Sequence, residues 1–151
     1  MFETRSARAT LRLAILVLVS GAFAGLWEVL ASQAPGSLLY VAMLPGPVQT
    51  LRESAFTLGL LLLSASILLP RAERRPGSRM PALITAALHV GTLLALVASA
   101  YGAAHGMHGE QFQDLRPDAT ALFIAKHAGY ALIGSALLVL AARVLRGLHA
   151  Q

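Results

Sequence analysis

Four long apolar stretches, separated by polar and proline-containing connections, dominate the pattern of hydrophobic and polar positions along the chain. They cover about residues 11–32, 48–69, 81–104 and 118–146. About 20 apolar residues in a helix, at ~1.5 Å rise per residue, cross the ~30 Å hydrocarbon core of a bilayer. The pattern therefore predicts an all-α integral membrane protein, a four-helix transmembrane bundle that forms a single membrane domain over residues 1–151.

Proline and aspartate residues set some of the expected helix ends. Pro47 suits the first turn of the second helix, where its missing N–H would have no helical partner, and Pro70 is expected to end that helix. Asp118 directly follows Pro117 and is the predicted N-cap of the fourth helix.

The first apolar stretch has an alternative interpretation. The segment Ala22-Phe23-Ala24 is a small-x-small site behind a basic start, as in a secretory signal peptide. The apolar run continues past this site to Leu30, which favours a transmembrane helix.

Lysine and arginine residues are concentrated in alternate connections. The N-terminus, the second connection and the C-terminus hold nine of them, while the remaining three are Arg52, Arg116 and Lys126. Connections rich in Lys and Arg stay on the cytoplasmic side of a membrane. The alternation predicts that both termini are cytoplasmic, and the arginine- and alanine-rich composition indicates the inner membrane of a bacterial cell.

The composition agrees with lipid as the main solvent. Apolar residues make up 56% and charged residues 13% of the chain, whereas about a quarter of the residues in soluble proteins are charged. The net charge of +5 follows from the clusters beside the apolar stretches, so binding to nucleic acid is not predicted. Cysteine is absent, which excludes a disulfide framework and a thiolate metal site.

Small residues recur on one face of three predicted helices. They are Ala14, Gly21, Ala24 and Gly25 in the first helix, Ala87, Gly91, Ala95, Ala98 and Gly102 in the third, and Ala125, Gly129 and Gly134 in the fourth. Helices associate in lipid where small residues let their backbones approach closely. These faces predict either tight packing within the bundle or packing against a helix of another protein.

Four titratable residues fall inside the predicted spans: Glu28, His89, Lys126 and His127. A charge buried in lipid is costly, so each is a candidate for function or for an ion pair. Glu28 shares a helix face with Gly21 and is expected at the depth of Lys126 and His127. We therefore predict that Glu28 pairs with one of these two as a structural clamp. The alternative is that Glu28 and Lys126 reach the headgroups separately.

His89 and His127 suggest a haem b site, because histidines from two helices of a bundle are common axial ligands. Their expected depths, about 6 Å to the inner side and about 5 Å to the outer side of the midplane, oppose this interpretation. The sequence therefore predicts two separate histidines, each with its own hydrogen bond, with a bis-histidine haem as the alternative.

The third connection contains a mixed set of possible metal ligands, namely His105, Met107, His108 and Glu110. A His-x-x-His spacing places both imidazoles on one side of a helical turn, and such a set suits copper or zinc. No second ligand cluster accompanies it, so an ordinary polar loop is the alternative interpretation.

Two short segments resemble the opening of nitrate- and taurine-type ABC permeases, in which a Trp-Glu helix precedes a proline-rich turn. They are GLWEVLA, residues 25–31, and MLPGPVQTLRE, residues 43–53. The resemblance covers under a fifth of the chain, and the coupling-loop motif of those permeases is missing. No function is carried over from it.

No pattern indicates an enzyme, since the chain has no nucleophile with its base, no catalytic carboxylate pair and no phosphate-binding glycine loop. We therefore predict a non-enzymatic structural or accessory protein that packs against itself or a larger membrane complex. The alternatives are a haem- or metal-binding redox protein that uses its histidines, and a small transporter whose polar site is Glu28 and Lys126.

Overall fold

The computed structural model describes residues 4–33, 45–72, 79–104 and 117–149, and over these residues it is all-helical. The helices are α1 (Arg5–Gln33), α2 (Pro45–Ala72), α3 (Met80–Ala104) and α4 (Pro117–His149). Each contains a stretch that is long and apolar enough to cross a membrane. The prediction of four such helices is confirmed.

Each helix begins earlier than its apolar stretch, most clearly α1. The hydroxyl oxygen of Thr4 accepts a hydrogen bond from the backbone N–H of Ala7 at 3.3 Å, so Thr4 is the N-cap. Alanine and arginine in the intervening turns favour a helix, which therefore continues beyond the segment that fits into lipid. The helices of this chain are therefore longer than the apolar stretches that they contain.

Two expected helix ends are corrected by the structure. Pro70 does not end α2, which continues to Ala72. Because Pro70 lies in the last turn, its missing N–H removes one intrahelical hydrogen bond and leaves the rest intact. Likewise, α4 begins at Pro117, so Asp118 lies in the first turn of the helix and is not its N-cap.

The helices form two antiparallel hairpins. In the first hairpin α1 packs along α2, and in the second α3 packs along α4. The middle of the bundle is formed by α2 and α3, each of which contacts all three other helices. The other two, α1 and α4, flank this centre on opposite sides and have almost no contact with each other. The largest fully buried apolar side chains are Leu58, Leu62, Leu69, Leu88, Ile133 and Leu140.

The closest helix crossing joins α3 and α4 at Gly91 and Gly129. A Cβ atom on Gly91 would lie 2.7 Å from the carbonyl oxygen of Gly129, and a Cβ atom on Gly129 would lie 2.6 Å from the carbonyl oxygen of Gly91. Backbone atoms therefore occupy the space that a side chain would need at either position. This crossing fixes how α3 and α4 are aligned.

The first hairpin has a similar crossing. A Cβ atom on Gly59 would lie 2.6 Å from the side chain of Leu18, and one on Gly21 would lie 3.1 Å from Cβ of Ala55. Most residues of the predicted small faces are thus at helix contacts. Gly134 is the exception, because it is exposed and has no atom within 4 Å of an added Cβ.

We expect Gly129→Ala to lower the free energy of unfolding by about 1–3 kcal/mol, because the new methyl group overlaps backbone atoms of α3. Gly134→Ala is the matched control and should be neutral or stabilising by up to about 1 kcal/mol, since alanine favours a helix over glycine. Denaturation of the detergent-solubilised protein, followed by circular dichroism, measures both. Equal stability of the two variants would contradict the backbone contact.

Candidate functional site

Glu28 and Arg52 form an ion pair between α1 and α2. Nη1 of Arg52 donates a hydrogen bond to Oε2 of Glu28 at 2.5 Å, and the two side chains are 31% and 21% exposed, respectively. The pair lies at the end of the bundle where α1 and α3 end and α2 and α4 begin, called the upper end below. Glu28 is about 15 Å along α1 from Leu18, which contacts Gly59 in the middle of α2.

Gly25 makes room for the arginine of this pair. A Cβ atom on Gly25 would lie 3.2 Å from Cδ of Arg52, so the aliphatic part of the arginine lies directly against the backbone of α1. A larger residue at this position would push the guanidinium group away from Glu28. The small-residue face of α1 therefore packs against α2 and also positions Arg52 for its ion pair with Glu28.

The predicted partners of Glu28, Lys126 and His127, are replaced in the structure by Arg52. Glu28 and Lys126 lie toward the same end of the bundle, but α1 and α4 are on opposite flanks with the two central helices between them. Lys126 is half-buried and forms no ion pair with any residue that the structure describes. Equal depth predicts a contact only between neighbouring helices, and the sequence did not reveal which helices are neighbours.

His89 connects α3 to α1 in the lower half of the bundle. Its Nε2 atom and the hydroxyl oxygen of the fully buried Thr10 are hydrogen bonded at 3.3 Å. One turn earlier on α3, the hydroxyl group of Thr85 is buried and has no hydrogen-bond partner among the described residues. Thr10 and His89 thus form a polar contact between α1 and α3 in the lower half.

His127 lies on the exposed face of α4. Its Nδ1–H donates a hydrogen bond to the carbonyl oxygen of Phe123 at 2.8 Å, and the two rings are in contact, with their centroids 3.9 Å apart and their planes tilted by 35°. His89 and His127 thus have different partners on different helices. This arrangement does not bring the two imidazoles to one iron atom.

The predicted metal ligands His105, Met107, His108 and Glu110 lie outside the described residues. Within residues 4–33, 45–72, 79–104 and 117–149, no group of three or more His, Cys, Asp or Glu side chains is close enough to hold a metal ion. Binding of copper or zinc by the third connection stays a prediction.

Three polar contacts between helices were not predicted from the sequence. They are Glu28–Arg52, Thr10–His89 and the buried hydrogen bond that Ser99 donates to Ser54 at 3.4 Å. A hydroxyl group in a helix often bonds to a carbonyl of its own helix, as Thr92 does to Leu88 at 2.7 Å. The sequence therefore does not show which hydroxyl groups reach a neighbouring helix.

We expect a double-mutant cycle with Glu28→Gln and Arg52→Met to give a coupling energy of about 1 kcal/mol, because the pair is partly exposed and only part of its attraction is retained. The same cycle with Glu28→Gln and Lys126→Met should give a value near zero. Unfolding in detergent measures both. A larger coupling with Lys126 than with Arg52 would restore the original prediction.

Comparisons with protein-family models, with curated proteins and with solved structures find no match to this chain.

Proposed function

We propose that this chain is a non-enzymatic protein of a bacterial inner membrane that acts as a structural or accessory subunit, by packing one face of α4 against a helix of another chain. Four apolar helices, each long enough to cross a bilayer, support its membrane placement. Both termini are placed in the cytoplasm by the arginine-rich N-terminus, second connection and C-terminus. In this orientation the upper end of the bundle faces outward.

The proposal is carried by the uncovered outer face of α4. Its exposed small residues are Ala128, Ala131, Gly134, Ser135 and Ala142. Elsewhere in this protein, Gly21, Gly91 and Gly129 are buried at close helix crossings, whereas none of the four described helices covers this face. Since small residues let helix backbones meet in lipid, the outer face of α4 is suited to a partner helix.

The spacing on this face supports a lengthwise contact. Ala128, Ser135 and Ala142 are seven residues apart, and Leu138 lies between the last two with 74% of its surface exposed. A seven-residue repeat keeps one side of a helix facing its partner in a left-handed pair. Small residues at one position of the repeat leave room for a large apolar side chain of the partner helix. If the partner is a second copy of this chain, Leu138 is such a side chain.

The described polar contacts favour this role over the alternatives. The carboxylate of Glu28 is bound by Arg52 and not by Lys126, so the contact on which the proposed transport site would depend is not formed among the described residues. Each spanning histidine has a hydrogen-bond partner of its own. These contacts connect helices or stabilise a single helix, as expected of a structural protein.

The proposed orientation predicts the accessibility of single cysteines in this cysteine-free chain. In intact cells, we expect Gln113→Cys to react with a membrane-impermeant maleimide, and Ser78→Cys to react only after lysis. Labelling of both cysteines from the same side would overturn the proposed topology.

Ala131→Leu should weaken the association of the purified protein with its partner or with a second copy by at least about fivefold, because a larger side chain separates the helices. Ala22→Leu, at an exposed position of α1, is the matched control and should change nothing. Light scattering coupled to size-exclusion chromatography, on material extracted from native membranes, measures the mass of the complex. A wild-type protein that is already a stable monomer would refute the accessory role.

A further inference from the structure

An apolar groove of about 310 Å³ runs between α3 and α4 on the surface of the bundle. Val90, Leu94, Val97 and Ala98 of α3 and Leu122 and Ala125 of α4 line it. All residues that form its walls are apolar. The volume is at the lower limit of the ~300–1,000 Å³ that is typical of sites for small molecules.

The groove arises from small residues next to the tight helix crossing. Gly91 and Gly129 bring the two backbones together. Toward the upper end, Ala98 of α3 is buried and Ala125 of α4 is half-buried, so neither helix has a large side chain there to fill the space between them. The longer side chains of Leu94, Val97 and Leu122 form the walls.

The groove opens to the surroundings of the bundle and not to its interior. Val90 and Val97, both on its lining, are 50% and 63% exposed. Val90 lies close to the middle of α3, and Val97 lies about 10 Å further toward the upper end. The groove thus extends from the level of the bundle centre about half-way to the upper end of α3.

We propose that the α3–α4 groove binds an acyl chain of a phospholipid of the outer leaflet. The inference rests on the proposed function in one respect, namely that the chain spans a bilayer with its upper end outward. Its apolar lining offers no partner to a charged or polar ligand, whose desolvation would be uncompensated. The lining on α3, from Val90 to Ala98, is about 12 Å long and fits within the ~15 Å hydrocarbon thickness of a single leaflet.

The position of Tyr101 supports an amphiphile as the occupant. Tyr101 lies one turn beyond Val97, on the same side of α3, and is 46% exposed. Tyrosine is enriched where hydrocarbon meets the headgroups, because its ring is apolar and its hydroxyl group is polar. The tail of a phospholipid in the groove would place the ester and phosphate groups at the level of Tyr101.

A protein helix fits this groove less well than an acyl chain. The lining covers only about two helical turns, in one half of the bundle, whereas the outer face of α4 extends from Ala128 to Ala142. At 100° per residue, Ala131 and Leu138 of that outer face lie about 120–140° around α4 from Ala125, and Ala128 lies at the edge between the two surfaces. The lipid groove and the partner face are therefore separate surfaces.

Native mass spectrometry tests the proposal on the full chain in detergent with dioleoyl phosphatidylethanolamine as the probe. Ala125→Leu fills the groove and should lower the occupancy of one bound lipid by about tenfold, a factor that corresponds to two methylene groups losing apolar contact. Ala22→Leu, at an exposed position of α1 and away from the groove, is the matched control and should bind as wild type does.

A second variant keeps the test valid if Ala125→Leu does not fold. Val97→Ser places a hydroxyl group in the groove without adding volume and should also lower lipid occupancy, whereas Val19→Ser, on the exposed face of α1, should not. Equal lipid binding by Val97→Ser and Val19→Ser would overturn the proposal. So would a loss of oligomers in Val97→Ser with lipid binding unchanged, because the groove would then be a protein interface.

Failure of the proposed function has a different signature. If the wild-type protein is a monomer that still binds lipid, the accessory role is refuted and the proposal of a lipid-binding groove stands. Oligomers whose lipid binding is unaffected by either groove variant refute the groove and leave the accessory role intact.

Discussion

The backbone contact between Gly91 and Gly129 determines how the second half of this protein is built. Because each glycine occupies the space in which the other would place a side chain, α3 and α4 meet at one point and in one alignment. The buried Ala95 and the neighbouring Ala98 and Ala125 then follow as the residues that allow the two helices to remain close. In an apolar solvent, where burying leucine contributes little, such close contact supplies much of the attraction between helices.

Polar contacts connect other pairs of helices in the bundle. Glu28–Arg52 joins α1 to α2, Thr10–His89 joins α1 to α3, and Ser54–Ser99 joins α2 to α3. The first and third lie within about 3 Å of each other along α2 in the upper half of the bundle, and the second lies in the lower half. A hydrogen bond inside a membrane protein contributes only about 0.6 kcal/mol on average, so these bonds specify which faces meet more than they determine the total stability.

Apolar stretches were sufficient to predict the four helices, because few structures other than a transmembrane helix contain about 20 consecutive apolar residues. The faces that contain Gly21, Gly91 and Gly129 were also predicted correctly, since small residues at helical spacing identify close crossings. The partner of Glu28 was predicted wrongly because depth along each helix follows from the sequence, whereas the order of helices around the bundle does not. Gly134 illustrates the same limit of prediction from sequence. Its spacing fits a contact between helices, but none of the described helices packs against it.

The arrangement of two hairpins, with α1 and α4 on opposite flanks, makes the boundary between the hairpins sensitive to its surroundings. If the hairpins moved apart in a bilayer, the hydroxyl groups of Thr10, Ser54 and Ser99 would face hydrocarbon, which cannot bond to them. In a micelle that admits water, the same groups would be solvated at little cost. In a bilayer, lipid would therefore hold this boundary closed, and the choice of detergent would decide how firmly the two hairpins remain joined.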